Sequence, residues 1–328
     1  MTRRGMGLAL GLMGTVLGMA AARAQAGGSA TVDLETLGMP KETFHADALM
    51  RCPNDLLTYR AVEWLDAGTV LVAFTATPLC PTTMDPAVNA VLKLATFDTA
   101  GKLLHAVNVP YVAGLNNMLP HDGVWALADG RVAVELPPTK WVQGPAAVGE
   151  LAVWSAELKP VQVMTLNGGT EDELHPAGVT ADGRGMLMWR GMNRLSDAHC
   201  VVFGGSPIKE TGACTAAMLD AMEAAAHDAG GFAVPKGEAV MTFTGASRDG
   251  SRASVFVIRE ETPECRMQGQ YCPTSGTFVV FETKSPATKS GQALLKEKVS
   301  VLGRMALAPD GKHAAMMDKG RLEIVAVP

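Results

Sequence analysis

The chain has 328 residues, 48% of them apolar and 19% charged, a composition that excludes a disordered protein. Its 35 glycines and 19 prolines suit a fold with many tight turns, and the length allows one large domain or two ordinary ones. The net charge of −5 argues against nucleic acid, whose phosphate backbone calls for clustered Lys and Arg.

Residues 1–26 read as a secretory signal. Arg3 and Arg4 make a positive start, the stretch from Gly5 to Ala22 carries no charge, and Ala24-Gln25-Ala26 is a small-x-small cleavage site. Its glycine content and the cleavage site argue against a retained membrane anchor. Arg3-Arg4 leaves a twin-arginine export route open, and no cysteine stands at the cleavage point to carry a lipid. Cleavage after Ala26 removes three of the 28 basic residues and none of the 33 acids, leaving 25 against 33, a net charge of −8. No later apolar run is long enough to span a bilayer. The expectation is a periplasmic or secreted monomer, with residues 27–328 forming one domain.

Thr31–Leu37 alternates apolar and polar and predicts a lone strand. Residues 38–58 read as irregular. A repeated unit then begins: an apolar run, a tight Asp-containing turn and a second apolar run. The five turns are Asp66-Ala67-Gly68, Asp129-Gly130, Asp182-Gly183, Asp249-Gly250 and Asp310-Gly311. Their glycines lie 62, 53, 67 and 61 residues apart. Each of the first four hairpins is followed by a long loop and two further strands. In the first unit these are Ala90–Asp98 and Lys102–Val109. In the second they are Glu150–Ser155 and Val161–Leu166. The third unit has Cys200–Phe203 and a poor strand near Ile208–Ala213, and the fourth Thr277–Glu282 and Leu294–Val301. Thr215–Ala229 interrupts the series with helix formers, a Thr215 cap and a Gly230-Gly231 stop, and predicts a surface helix.

The fifth unit has only three strands: Met305–Ala308, His313–Met317 and Arg321–Val327. Four-stranded sheets stacked in a ring bury both faces and leave short edges. Thr31–Leu37 is the natural fourth strand for the last sheet. The fold class expected is therefore all-β, a β-propeller of five four-stranded blades closed by an N-terminal strand, with one helical insertion near 215–229. Six blades remain the alternative if residues 38–58 or 205–240 hide another. The roughly 60-residue period is too long for a β-sandwich or β-helix.

The motifs Leu-Ala-Pro-Asp-Gly-Lys at 307–312, Ala-Asp-Gly-Arg at 128–131 and 181–184, and Phe-Asp-Thr-Ala-Gly-Lys at 97–102 resemble those of the bacterial WD40-like and YVTN-like propeller group. The resemblance covers most of residues 59–327. It implies the propeller fold and no activity, because these motifs specify hairpins. The Trp-Asp dipeptide that closes many such repeats is missing, Trp154-Ser155 being nearest, so no functional residue carries over.

Six cysteines in a chain read as exported predict disulfides, and proximity pairs Cys52 with Cys80, Cys200 with Cys214 and Cys265 with Cys272. Their spacings match no usual zinc pattern, and no metal or other cofactor is expected.

In this parsing the Asp turns face one end of the propeller. The long loops 76–89, 137–149, 190–198 and 260–275 and the links between blades face the other. Polar residues crowd that second end. Asn116, Asn117, His121 and Asp122 share one link; Glu171, Asp172, Glu173 and His175 the next; Arg194 and His199 lie in a third-unit loop. Imidazoles and carboxylates converging there would bind a metal or act as acid and base, which makes His121, Asp122, His175 and His199 the catalytic candidates. The plainer role for His121-Asp122 and His175-Pro176 is capping blade edges. Asn116, Asn117, Trp141 and Arg194 are the ligand-binding candidates, Trp141 as a platform for a sugar or a peptide proline. The innermost strands carry too few acids for a glycosidase. No Gly-x-Ser-x-Gly elbow, His-Glu-x-x-His pair or phosphate loop occurs. The leading expectation is a non-enzymatic module binding a protein, peptide or glycan through its loop-rich face. The alternative is a hydrolase or lyase acting at the channel mouth.

Overall fold

The computed structural model describes residues 23–25, 29–39, 60–76, 89–112, 123–136, 149–166, 174–180, 182–190, 200–215, 239–259, 275–283, 293–300 and 303–328. They form an all-β protein of five antiparallel sheets, a propeller-like arrangement. Among them no helix is long and apolar enough to cross a membrane.

Strands β1 (Arg23–Gln25) and β2 (Ser29–Asp33) come first. Then four sheets follow one another as meanders. The first is β3 (Arg60–Trp64), β4 (Thr69–Thr75), β5 (Asn89–Asp98) and β6 (Leu103–Val112). The second is β7 (Val124–Ala126), β8 (Val132–Leu136), β9 (Gly149–Trp154) and β10 (Pro160–Leu166). The third is β11 (Leu174–Val179), β12 (Gly185–Arg190), β13 (Cys200–Gly204) and β14 (Lys209–Ala213). The fourth is β15 (Ala239–Ala246), β16 (Arg252–Arg259), β17 (Ser275–Glu282) and β18 (Ala293–Ser300). The last sheet has β19 (Arg304–Leu307), β20 (His313–Asp318) and β21 (Arg321–Ala326). β2 pairs with β21, with Val32 opposite Leu322, and β1 pairs with β2.

The N-terminal segment therefore joins the last sheet, but as a shorter strand than 31–37. Asp33 ends it, its Oδ1 accepting from Glu35 N at 2.9 Å, and Leu34–Leu37 form a 3-10 turn. β1 lies inside the segment read as a leader, so cleavage after Ala26 leaves β2, β21, β20 and β19, four strands like the other sheets. Residues 205–213 complete the third sheet and hold no further blade. The predicted helix 215–229 and residues 40–59 lie outside the described residues, apart from Thr215.

Strand alternation sends successive side chains to opposite faces, and here both faces are buried. In β4, Val70, Val72 and Phe74 pack with Ala315, Met317, Leu322 and Ile324 of the last sheet. Leu71 and Ala73 point the other way and pack with Val132, Val134 and Ala152 of the second sheet. In β8, Ala133 faces Met186, Met188 and Phe203 of the third sheet. In β20, Ala314 and Met316 face Phe256, Phe278 and Val280 of the fourth. Four sheet-to-sheet boundaries are thus continuous apolar cores. The remaining faces are Leu187, Cys200 and Val202 on the third sheet and Ala253, Val255, Val279 and Phe281 on the fourth, all buried. The tryptophans on strands lie in these clusters: Trp64, Trp154, Trp125 and Trp189. Outer strands are the wet ones, and every side chain of β14 is exposed.

Cys200 and Cys214 form a disulfide across β13 and β14, as their spacing suggests. Cys52, Cys80, Cys265 and Cys272 lie outside the described residues.

Candidate functional site

The two ends of the sheets differ in how their polar groups are used. At one end are the five Asp turns. In each, the Asp carboxylate accepts from the backbone N–H two residues on: Gly68, Arg131, Arg184, Ser251 and Lys312. This is an Asx turn, in which the side chain mimics a backbone turn. Neighbouring turns also mesh. Ala128 N donates to Gly183 O at 2.8 Å, and Arg248 N to Pro309 O at 2.8 Å. Gly183 is at φ +68°, and a Cβ there would sit 3.2 Å from Ala128 Cβ, so both turn and mesh call for glycine.

Long side chains complete the fastening. Arg131, just after its turn, is held by Asp129 and donates to Gly205 O of the third sheet at 2.9 Å. Arg252, two residues past the Asp249-Gly250 turn of the fourth sheet, donates to Gly311 O at 2.7 Å and Pro328 O at 2.8 Å. Trp64 Nε1 donates to Ala306 O at 3.1 Å, tying the first sheet to the last. The Ser247 hydroxyl, followed by Ser251 donors, holds the Asp249 carboxyl down at about 2. The Thr180 hydroxyl lowers Asp182, and the Arg131 guanidinium lowers Asp129. Carboxyls held low stay ionised at neutral pH and cannot serve there as general acids.

The opposite end is where the sequence predicts the long loops and most of the residues singled out above. Asn116, Asn117, His121, Asp122, Trp141, Arg194 and His199 lie outside the described residues. His175 is in β11, its backbone opposite Trp189 of β12. Among the described residues no group of three or more His, Cys, Asp or Glu is placed to hold a metal.

What the structure adds at that end is a groove of about 600 Å³ between the outer part of the fourth sheet and the last sheet. Its floor includes Val299 and Met316. Among the described residues its polar lining has four acids, Asp33, Glu35, Asp318 and Glu323, and three cations, Lys298, Lys319 and Arg321. β20 runs away from the Asp310 turn, so its hairpin to β21 lies at the loop end. That hairpin has two residues, Lys319 at φ +48° and Gly320 at φ +76°. Such a turn matches the twist of the strands and favours Asn or Gly at its first position. Lysine pays about 1–2 kcal/mol for the left-handed backbone.

Register aligns the charges. Arg321 is directly opposite Asp318 on β20 and Asp33 on β2, and Glu323 is opposite Met316 and Thr31. The 3-10 turn closes one wall: Leu34 N donates to Gly320 O at 2.8 Å, and Glu35 lies over Gly320. Asp318 is committed elsewhere, one oxygen accepting from Ser300 N at 2.9 Å and the other from the Ser300 hydroxyl. Among the described residues Lys298, Lys319, Arg321 and Glu323 make no side-chain hydrogen bond or ion pair. Sequence reading missed this groove because its walls lie far apart in the chain. Its one local signal is Asp318-Lys319-Gly320-Arg321, a two-residue hairpin with lysine where a smaller residue is easier.

Comparison with family models and with curated proteins finds no match. Among solved structures, the chain is similar to TcdA4 of Morganella morganii at 8% identity and a TM-score of 0.26, over 90% of this chain. It spans only 16% of that protein's length. It is also similar to a member of the DUF4221 family from Bacteroides vulgatus, at 7% identity and a TM-score of 0.24, over 94% of this chain and 98% of that one. Likenesses this distant say nothing of activity.

Proposed function

We propose that the chain is an exported five-bladed β-propeller, closed by β2, that works as a non-enzymatic binding module through its loop-rich end. Its ligand is a protein, peptide or glycan met in the periplasm or outside the cell. One observation carries the reading: all five Asp-turn carboxylates are engaged by their own backbone, while in the groove, among the described residues, Glu323 makes no hydrogen bond and stands beside the uncommitted cations Lys298, Lys319 and Arg321. The disulfide fits an oxidising compartment. Ring closure is supported by the four continuous cores and by the pairing of the chain's two ends in one sheet.

Two charge-reversal variants test the reading on peptide and glycan arrays. Lys319→Glu with Arg321→Glu alters the groove, and Arg184→Glu with Lys312→Glu alters the turn end. The expected result is that wild type and the turn-end variant bind the same probes and the groove variant loses them. Loss in the turn-end variant alone contradicts the reading.

A further inference from the structure

We infer that the groove beside the Lys319–Gly320 hairpin takes a zwitterionic ligand, a short peptide with a free ammonium and a free carboxylate. The inference rests on the binding-module reading and narrows it to one chemistry.

The groove disfavours a ligand of one charge sign. It carries both signs of charge within one space of about 600 Å³, so a ligand of a single sign meets repulsion as well as attraction. A ligand with one group of each sign can match both. The volume is within the usual range for small-molecule sites. Next comes availability. Strands bring Arg321 opposite Asp33 and Asp318, yet Arg321 forms no ion pair with either. The Ser300 backbone and hydroxyl already use both oxygens of Asp318. Arg321 and Lys319 are exposed cations side by side at the lip, and Glu323 is an exposed acid two residues along the same strand face from Arg321. A ligand carboxylate fits the planar fork of Arg321, with Lys319 as a second charge. The ligand ammonium then meets Glu323 or Glu35.

The test is calorimetric titration of the oxidised full chain with trialanine, N-acetyl-trialanine and trialanine amide. Free trialanine should bind, and blocking either end should weaken binding about 2- to 5-fold, the scale of an exposed ion pair. Arg321→Gln should reduce the penalty for amidation, and Glu323→Gln the penalty for acetylation. Lys319→Gly gives a readout that folding defects cannot imitate. It should weaken trialanine binding while raising the denaturation midpoint, because glycine relieves the backbone at φ +48°. Equal binding of the free and capped peptides, or no loss in Lys319→Gly, overturns the inference. If trialanine fails while the groove variant still loses array probes, only the ligand class falls. If no array probe distinguishes the variants, the binding-module reading falls with it.

Discussion

The Asp-turn end and the hairpin end of the last sheet are built from the same parts, tight turns flanked by charged residues, and use them oppositely. Around Asp310-Gly311 the carboxylate caps Lys312 N, the glycine carbonyl accepts from Arg252, and Arg248 N reaches Pro309 O. Around Lys319-Gly320 the glycine carbonyl accepts from Leu34 N, but the turn's acid, Asp318, accepts from Ser300 of the fourth sheet and not from its own turn. A repeated motif therefore marks where the sheets are fastened. The turn that departs from the motif lines the groove proposed as the ligand site.

The largest effect expected from breaking the fastening is at Trp64, fully buried between the first and last sheets. Trp64→Ala removes the ring and the bond to Ala306 O, and should cost about 3–5 kcal/mol in urea denaturation. Arg252→Ala should cost about 1.5–3 kcal/mol, the range for hydrogen bonds from a charged donor, by the same measurement. At the other end the sign reverses. Lys319→Gly should stabilise by about 1 kcal/mol, since a strained position becomes an easy one. The smallest effect sharpens the comparison through pH. Asp249 titrates at about 2 in the folded protein against an ordinary 3.8. A depressed folded pKa means its contribution is full above 3.8 and is lost as pH falls towards 2. Wild type should therefore lose its stability advantage over Asp249→Asn across that window. Ser247→Ala should move the Asp249 titration upward, as followed by NMR of its side chain.

Much of the fold was legible because alternation and Asp-Gly turns are local signals. β5, β9 and β20 lie within one residue, at either end, of Ala90–Asp98, Glu150–Ser155 and His313–Met317, the strands read from the sequence. β14 reads poorly because Lys209–Ala213 is all exposed and lacks apolar alternation. What fixes it is nonlocal: buried Ile208 at one end, its backbone bonded to the Gln162 amide, and the Cys200–Cys214 bond at the other. Thr31–Leu37 was read too far because Val32 and Leu34 keep the two-residue spacing of a strand, while Asp33 captures Glu35 N and turns the chain. The groove was not legible at all. It depends on the register of β2, β20 and β21 and on Ser300 engaging Asp318, and no local pattern encodes either.

The most direct measurement is amide chemical-shift mapping of the oxidised chain during titration with trialanine. The account predicts shifts at Lys319, Gly320, Arg321 and Glu323, with Gly130, Gly183, Gly250 and Gly311 unmoved. Shifts at the Asp-turn glycines with a silent Lys319–Glu323 segment would contradict it.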